Sequence, residues 1–496
     1  MTTDFPHPAA TAGPWGDVPP PRVDPDARRR IRAARTEDRH IVAVLDDDPT
    51  GSQSVHGVQV VTVPDPEQYP AALAGDAPTC FVLTNSRSLA EPDAVRLTET
   101  AATDLLAEAA RQGRPIDLVS RSDSTLRGHV WAEIRALHRA RTAVHGAGYD
   151  GVLLVPAYLE AGRVTAGDTH WARVGGRFIP VGETEFARDA TFGYRSSDLR
   201  DFVAEASRGA VPRDRVHAIG LADIREHGPD RVADILAAAE DGAIIVVNAL
   251  DYADLETVAL GVLAARRAGR ALAFRSGPSF VRALAGQDPR PPVTAAEIRA
   301  AGRPAGHGLV VVGSHVGQTS RQLAVLRERT SLAEVELDVP ALLAADRPEP
   351  LIDTAAERVT DALRRSHVLL MTSRAVVTGR DREDSLRLAR RVSDALCRIV
   401  RSALAAGPAW VLAKGGITSH DLAVRGLGIR RAEVVGQLFP GMVSLFRPTV
   451  CDPRFAGRPY VVFAGNVGDD DALADAVHRL AGPGPDEQAG PSGSGE

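Results

Sequence analysis

Short apolar runs alternate with longer amphipathic ones along most of the chain, and that alternation leaves few folds open. The runs at 41–45, 59–63, 80–84, 116–120, 151–155, 243–247 and 271–274 read as buried strands. Segments 93–111, 130–139 and 255–268 carry the 3.6-residue period of helices. The pattern breaks at a stretch rich in Pro, Ala and Gly, GQDPRPPVTAAEIRAAGRPAGHG, and then restarts. Strands are expected at 309–312, 335–337, 368–371, 410–413, 433–435 and 460–463, and helices at 318–327, 355–365 and 383–405. Repeated strand–helix units predict an α/β fold of two domains, each a mainly parallel sheet flanked by helices, with the active site in the cleft between them. The expected boundaries are a leader at 1–39, an N-terminal domain at 40–285, a linker at 286–307, a C-terminal domain at 308–480 and a disordered tail at 481–496. Within the leader, an arginine-rich helix is expected after a disordered start, and its simplest reading is a solvated one.

Composition removes several classes of function. A net charge of −6 gives no basic field for nucleic acid or an anionic membrane. No apolar run approaches the ~20 residues of a membrane span, and no apolar signal core opens the sequence. Cys80, Cys397 and Cys451 lie far apart, forming neither a metal spacing nor a disulfide set, which fits a reducing cytoplasm. Apolar-rich chains with long inserted loops are often homodimers.

In parallel α/β sheets ligands bind beyond the C-terminal ends of the strands, so polar clusters that follow apolar runs are the candidate sites. Three lie in the first half: Asp46-Asp47-Asp48-Pro49-Thr50-Gly51, then Asn85 and Arg87 in TNSRSL, then Arg121, Asp123, Thr125 and Arg127 in SRSDSTLRGH. Adjacent carboxylates repel one another and are costly to desolvate together. Helix capping accounts for one or two residues per cluster but not for the arginines. Arginine forks pair with carboxylates, and Asp and Asn bind hydroxyls, so the set suits a small polyhydroxylated anion. Segments 155–171 and 183–199 read as long loops, either a lid or subunit contact or plain solvated surface.

The second half carries glycine turns after apolar runs: VVVGSHVGQTS, VLAKGGITSHD, LFPGMVS and VVFAGNVGDDDA. Glycine lets backbone approach a phosphate closely. None of the turns matches the P-loop or the dinucleotide fingerprint. Lys414 is the single lysine among 58 basic residues. Either a compact ammonium is wanted beside a glycine turn, or lysine is simply rare in this composition.

Two other readings of the residues compete. Asp46-x-Asp48-x-Thr50 fits the D-x-D-x-T pattern of haloacid-dehalogenase-like phosphohydrolases, with GDDDALAD and Lys414 as the remaining parts. That reading requires one catalytic domain to hold all three. A non-catalytic ligand-binding protein is the other.

Six motifs in order then resemble the four-carbon acid sugar kinase family: Asp47-Asp48-Pro49-Thr50-Gly51, Asp123-Ser124-Thr125-Leu126-Arg127-Gly128, Gly313-Ser314, Gly415-Gly416-Ile417-Thr418-Ser419, Pro440-Gly441 and Gly465-Asn466-Val467-Gly468-Asp469. The resemblance implies an N-terminal domain that binds a sugar acid such as a threonate, erythronate or oxo-tetronate, and a C-terminal domain that binds ATP with Mg²⁺. It implies that Ser314, Gly441, Gly465, Asn466, Val467 and Gly468 hold the nucleotide, with Gly415, Gly416 and Thr418 beside them; the phosphates are expected to lie over Lys414. Arg87, Arg121 or Arg127 would meet the substrate carboxylate, while Asp46, Thr50, Asn85, Asp123 and Thr125 complete its site. Asp47 or Asp48 would accept the proton of the attacking hydroxyl. Asp46, where family members often carry a small residue, and Lys414 depart from the family pattern.

Overall fold

Strands whose side chains are buried on both faces cannot lie at a solvated sheet surface, and here they form the centre of parallel sheets. The computed structural model describes residues 13–482 apart from 49–50, 53, 76–78, 301–303, 315, 375–381 and 466, with backbone alone at 382–386. Disorder is expected of residues 1 to about 25, yet Trp15 packs edge-on against Trp171 and Phe178; residues 1–12 and 483–496, and the roles expected of Thr50 and Asn466, lie outside the described residues. The chain divides into two compact units, Met1–Arg290 and Pro291–Glu496.

Strands of the first unit are β1 (Ile41–Asp46), β2 (Val58–Val61), β3 (Thr79–Leu83), β4 (Ile116–Arg121), β5 (Gly151–Val155), β6 (Arg163–Ala166), β7 (Thr169–Val174), β8 (Arg177–Pro180), β9 (His217–Ile219), β10 (Ala243–Val247) and β11 (Leu272–Ser276). Its large sheet runs β2-β3-β1-β4-β11-β5-β10-β9. Each described pairing in it is parallel. All six residues of β1 are buried, as the unbroken run IVAVL requires. From β1 the chain moves to β2 and β3 on one side, then returns to β4 on the other. The loops after β1 and β4 therefore diverge and leave a crevice at this switch point.

Strands of the second unit are β12 (Leu309–Val312), β13 (Ala333–Leu337), β14 (Val368–Thr372), β15 (Val411–Lys414), β16 (Arg431–Phe439), β17 (Met442–Val450) and β18 (Tyr460–Phe463), in the order β13-β14-β12-β15-β18-β17-β16. The first five are parallel, and β17 and β16 turn back antiparallel. Again the chain leaves β12 to one side and returns to β15 on the other.

Three expectations need correction. The arginine-rich helix, Ala27–Glu37, is docked rather than solvated. Ala27, Ile31 and Arg35 recur every four residues and are all buried. The expected linker is partly structured: Val293 and Ile298 join the core of the second unit, and the Val293 N–H donates to the Gln437 carbonyl at 2.8 Å. Finally, part of 155–171 is not a loop. β6, β7 and β8 form an antiparallel sheet, joined by Gly167-Asp168 and Gly175-Gly176. All four of these residues have positive φ, which suits the tight turns between twisted strands. Among the described residues no helix is long and apolar enough to cross a membrane.

A buried charge cluster joins the docked helix to the sheet. Asp117 of β4 is fully buried and meets His40 Nε2 at 2.6 Å, Arg35 at 3.4 Å and Arg266. Burial works to raise its pKa, but Arg266, His40 and Arg35 hold it well below the usual carboxylate range. Removing the carboxylate would leave two largely buried guanidinium groups without it. Asp117→Ala should therefore cost about 3–5 kcal/mol of stability in urea denaturation. Because the folded pKa is depressed, this stabilisation is present above the unfolded value of about 4 and lost as pH falls below it. The acid-side decline of stability should be shallower in the variant.

Candidate active site

The crevice of the first unit is closed at its floor by two charged residues that end neighbouring strands. Asp46 and Arg121 are register partners across β1 and β4. Both are buried, and Arg121 Nη1 donates to Asp46 Oδ1 at 2.7 Å. The same oxygen accepts the Asp48 N–H at 3.1 Å, and the Asp46 carbonyl accepts from Thr84 and Asn85. Burial pushes the Asp46 pKa up to about 6 against the pull of Arg121. Gly51 is needed here: a Cβ on it would lie 1.8 Å from Asp46 Oδ2. Asp46 and Arg121, expected to touch substrate, are thus committed to each other as the floor of the crevice.

The next residues turn outward. Arg87, from the turn after β3, meets Asp47 at 3.2 Å, Asp48 at 2.6 Å and Asp123 at 3.7 Å. Asp123 also pairs with Arg127 at 2.7 Å and accepts from the Thr125 hydroxyl. Burial would raise the Asp123 pKa, but Arg87 and Arg127 hold it at about 2. Asp47 differs. Burial pushes its pKa up to about 7 despite Arg87 and Arg275, and its Oδ2 has no hydrogen-bond partner among the described residues. One carboxylate of the crevice is therefore poised near neutrality while its neighbour Asp123 is firmly ionised. Asn85 contributes a left-handed backbone turn (φ 49°) whose N–H reaches the Asp46 carbonyl at 3.2 Å.

Sequence reasoning missed what lies behind these groups. Arg275, ending β11, is fully buried and donates to Ser120 Oγ at 2.6 Å and to Glu133. Glu133 in turn accepts from Ser86. The signal was present in FRSG, an arginine at the end of an apolar run like that of SRSD. The segments read as a lid, a subunit contact or solvated surface brace the Asp123–Gly128 loop. Tyr194 Oη donates to the Thr125 carbonyl at 2.6 Å, and His170 Nε2 lies 2.8 Å from the Ser124 carbonyl. Phe186 packs under the Arg127 guanidinium at 5.2 Å.

In the second unit, three of the glycine turns meet at the switch point between β12 and β15. A Cβ on Gly313 would lie 2.3 Å from Thr418 Oγ1, and one on Gly465 would lie 2.7 Å from Ser314 Oγ. The Gly465 carbonyl accepts from Thr319 at 3.1 Å and from Lys414 at 3.3 Å. Gly415 and Gly416 open the short helix that carries Thr418. Gln322 ties down the carbonyls of Val467 and Asp469 on either side of Gly468, which has a φ of 82°. Gly441 lies in the two-residue turn between β16 and β17. Since Ser444 pairs with Val462, that turn sits past the C-terminal end of β18, at the same sheet end.

Lys414 is not laid open beneath this surface as expected. It is fully buried, donates to the Ala464 carbonyl at 2.8 Å and stacks over Phe463 at 3.9 Å. Burial alone pulls its pKa down to about 7, with no carboxylate beside it among the described residues. Its visible work is to hold the Gly465 turn. Arg374, just past β14, was also missed. It donates to the Ser314 carbonyl and to Ser320 Oγ at 2.7 Å, and burial together with the nearby Arg327 lowers its pKa.

The first unit matches a sugar-binding N-terminal domain over residues 42–284, and the second matches a nucleotide-binding C-terminal domain over 309–473. The chain belongs to the four-carbon acid sugar kinase family. Three solved structures resemble it over almost their whole length. A Salmonella typhimurium LT2 protein, for which a tRNA synthase role has been suggested, shares the fold at a TM-score of 0.65 and 16% identity, covering 88% of this chain and 98% of its own. A Haemophilus influenzae protein does so at 0.58 and 16%, with the same coverage. A Bordetella bronchiseptica protein, described as a domain-swapped dimer with bound citrate, is 25% identical over 89% of this chain and 98% of its own, at a TM-score of 0.38. Among curated proteins none matches.

Family membership leaves the phosphohydrolase reading without support. Its nucleophile pair lies in one unit, whereas Lys414 and the acidic run lie in the other. In that run Asp470 pairs with Arg321 and Asp471 with Arg329, each at 2.9 Å.

The floor of the crevice can be tested without substrate. Gly51→Ala forces the buried Asp46 carboxylate to move and strains its bond to Arg121. The variant should lose roughly 1–3 kcal/mol of stability by urea denaturation, as overpacked buried sites do. Unchanged stability would mean that the loop after β1 relaxes freely.

Proposed function

We propose that the protein is an ATP-dependent kinase that phosphorylates a hydroxyl of a small, four-carbon sugar acid of the threonate, erythronate or oxo-tetronate type. One observation carries this reading: at the switch point of the sugar-binding domain, Arg87 is held among Asp47, Asp48 and Asp123, in a chain whose other unit is a nucleotide-binding domain. Arg87 and Arg127 supply positive charge for the substrate carboxylate, and Asp48 and Asp123 accept from its hydroxyls. Asp47 is the proton acceptor. Its raised pKa, and an oxygen with no hydrogen-bond partner among the described residues, suit a group that must take a proton at neutral pH. Asp46, Arg121 and Arg275 position these groups from behind.

Phosphoryl transfer depends mainly on positioning and on neutralising charge. The turns at Gly313–Ser314, Gly415–Thr418 and Gly465–Gly468 offer backbone for the nucleotide, Lys414 braces them, and Arg374 is the cation that would meet a phosphate. A divalent cation bound with the nucleotide would supply charge neutralisation. Among the described residues no group of three His, Cys, Asp or Glu could hold a metal.

Incubation with ATP·Mg and a panel of four-carbon acids should give acid-dependent ADP release. Phosphate release from phosphorylated sugars without ATP would instead revive the phosphohydrolase. Turnover should rise as pH climbs through about 7, since Asp47 must lose its proton before it can accept another. Asp47→Asn should lower kcat by about 10²–10⁴ and remove that rise; a near-normal rate would refute the assignment. Arg374→Gln should raise KM for ATP roughly tenfold, about 1.4 kcal/mol, and leave KM for the acid unchanged. Lys414→Met should weaken nucleotide affinity by a similar factor, measured by calorimetry, through loosening of the Gly465 turn.

A further inference from the structure

A cavity of about 530 Å³ opens at the other end of the first unit's sheet, where β4 and β11 begin. The six residues of β4 separate it from the crevice by roughly 15 Å. Its lining includes Arg141, Arg266, Arg270 and Tyr149, with Leu106 and Ala110 on an apolar side. The charge there is lopsided. Arg266 reaches Asp117 in the buried cluster and donates to the Leu272 carbonyl at 2.8 Å, and its Nε has no partner among the described residues. The Arg141 guanidinium donates to the carbonyls of Ala147 and Gly148 and stacks over Tyr149. Among the described residues Arg270 meets the distant Asp150, at 3.8 Å, and the Ala239 carbonyl. The one acid in the lining, Asp38, pairs with Arg267 at 3.2 Å.

A second observation points to a ligand. Tyr149 is 4% exposed, and its buried hydroxyl has no hydrogen-bond partner among the described residues. A buried hydroxyl left unsatisfied costs free energy unless something in the cavity accepts from it. The Arg266 Nε presents the same unmet demand. Donors without acceptors, under a surplus of guanidinium charge, call for an anion with several oxygens. Guanidinium forks match phosphate oxygens well. The Leu106 and Ala110 side would receive a short carbon skeleton.

We propose that this cavity is a binding site for a small phosphorylated metabolite, its phosphate held by Arg141, Arg266 and the Tyr149 hydroxyl. The site is separate from the crevice and does not rest on the kinase reading. The Asp117 cluster connects the two places: Arg266 belongs both to the cavity and to the ion pairs that fix β4, whose far end is Arg121. Occupancy of the cavity would therefore act on the strand that carries the crevice floor.

The test uses the full chain in two measurements. Crystals soaked in tungstate, a tetrahedral phosphate mimic, should show an anomalous peak beside Arg141, Arg266 and Tyr149. Calorimetric titration with inorganic phosphate and, separately, glycerol 3-phosphate should give binding about tenfold weaker in Arg141→Gln and several-fold weaker in Tyr149→Phe. Binding should be unchanged in Arg87→Gln and Arg374→Gln. Tyr149→Phe keeps the ring and its packing, so the test survives even if Arg141→Gln fails to fold. Tighter binding of glycerol 3-phosphate than of phosphate identifies the organic ligand; equal affinity assigns the site to phosphate itself and overturns the metabolite. The site is also overturned if no peak appears in the cavity, if Tyr149→Phe binds as wild type, or if binding is lost instead in the Arg87 or Arg374 variant.

Discussion

The Asp46–Arg121 pair sets the terms for everything above it in the first unit. Taking two opposite charges out of water is expensive, and an ion pair in a protein interior adds little net stability over a packed apolar pair. Its value here is geometric. The two residues end adjacent parallel strands in register, so their bond fixes the point where two loops part. The Asp46 oxygen that receives Arg121 also takes the Asp48 N–H, and the Asp46 carbonyl gathers the turn after β3. One buried residue, through its carboxylate and its carbonyl, thus orients three loops. The apparent excess of negative charge in DDD resolves into one aspartate facing the sheet and two facing Arg87.

Both units solve the same problem with the same wiring. The orders β2-β3-β1-β4 and β13-β14-β12-β15 place a reversal of chain direction at equivalent positions. Their surfaces differ in kind. The first presents charged side chains, suited to the hydroxyls and carboxylate of a small acid. The second presents close-packed backbone, where Thr418 and Ser314 fill the space that side chains on Gly313 and Gly465 would need. A crevice built of backbone recognises phosphate by shape and dipole and needs few ionisable groups.

Much of this was legible in the residues. Apolar runs gave the central strands nearly to the residue, because a strand buried on both faces has no alternating pattern to confuse with a helix. The motif order gave the family. Other features were hidden because they depend on what a side chain faces. Nothing local distinguishes Asp46 from Asp47; only the register with Arg121 does. Lys414 stood out by rarity, yet its position at the end of β15 turns it toward the carbonyls of Ala464 and Gly465. Val293 sits in a stretch that reads as linker, and its burial follows from tertiary contact with Gln437. The β6–β8 sheet was missed although its signals were present: Gly-Asp and Gly-Gly pairs between short runs are hairpin turns. Charged residues in those runs masked the alternation.

The burial of Lys414 has a consequence for how the second unit can be watched. Its side-chain amine is the sole lysine amine in the sequence, and at a pKa of about 7 a large share of it is unprotonated and nucleophilic at neutral pH. Only its enclosure beside the Gly465 turn keeps it from acylating reagents. The chain therefore carries a built-in chemical clock: the rate at which that one amine becomes acylated counts the openings of the glycine turns, with no residue substituted.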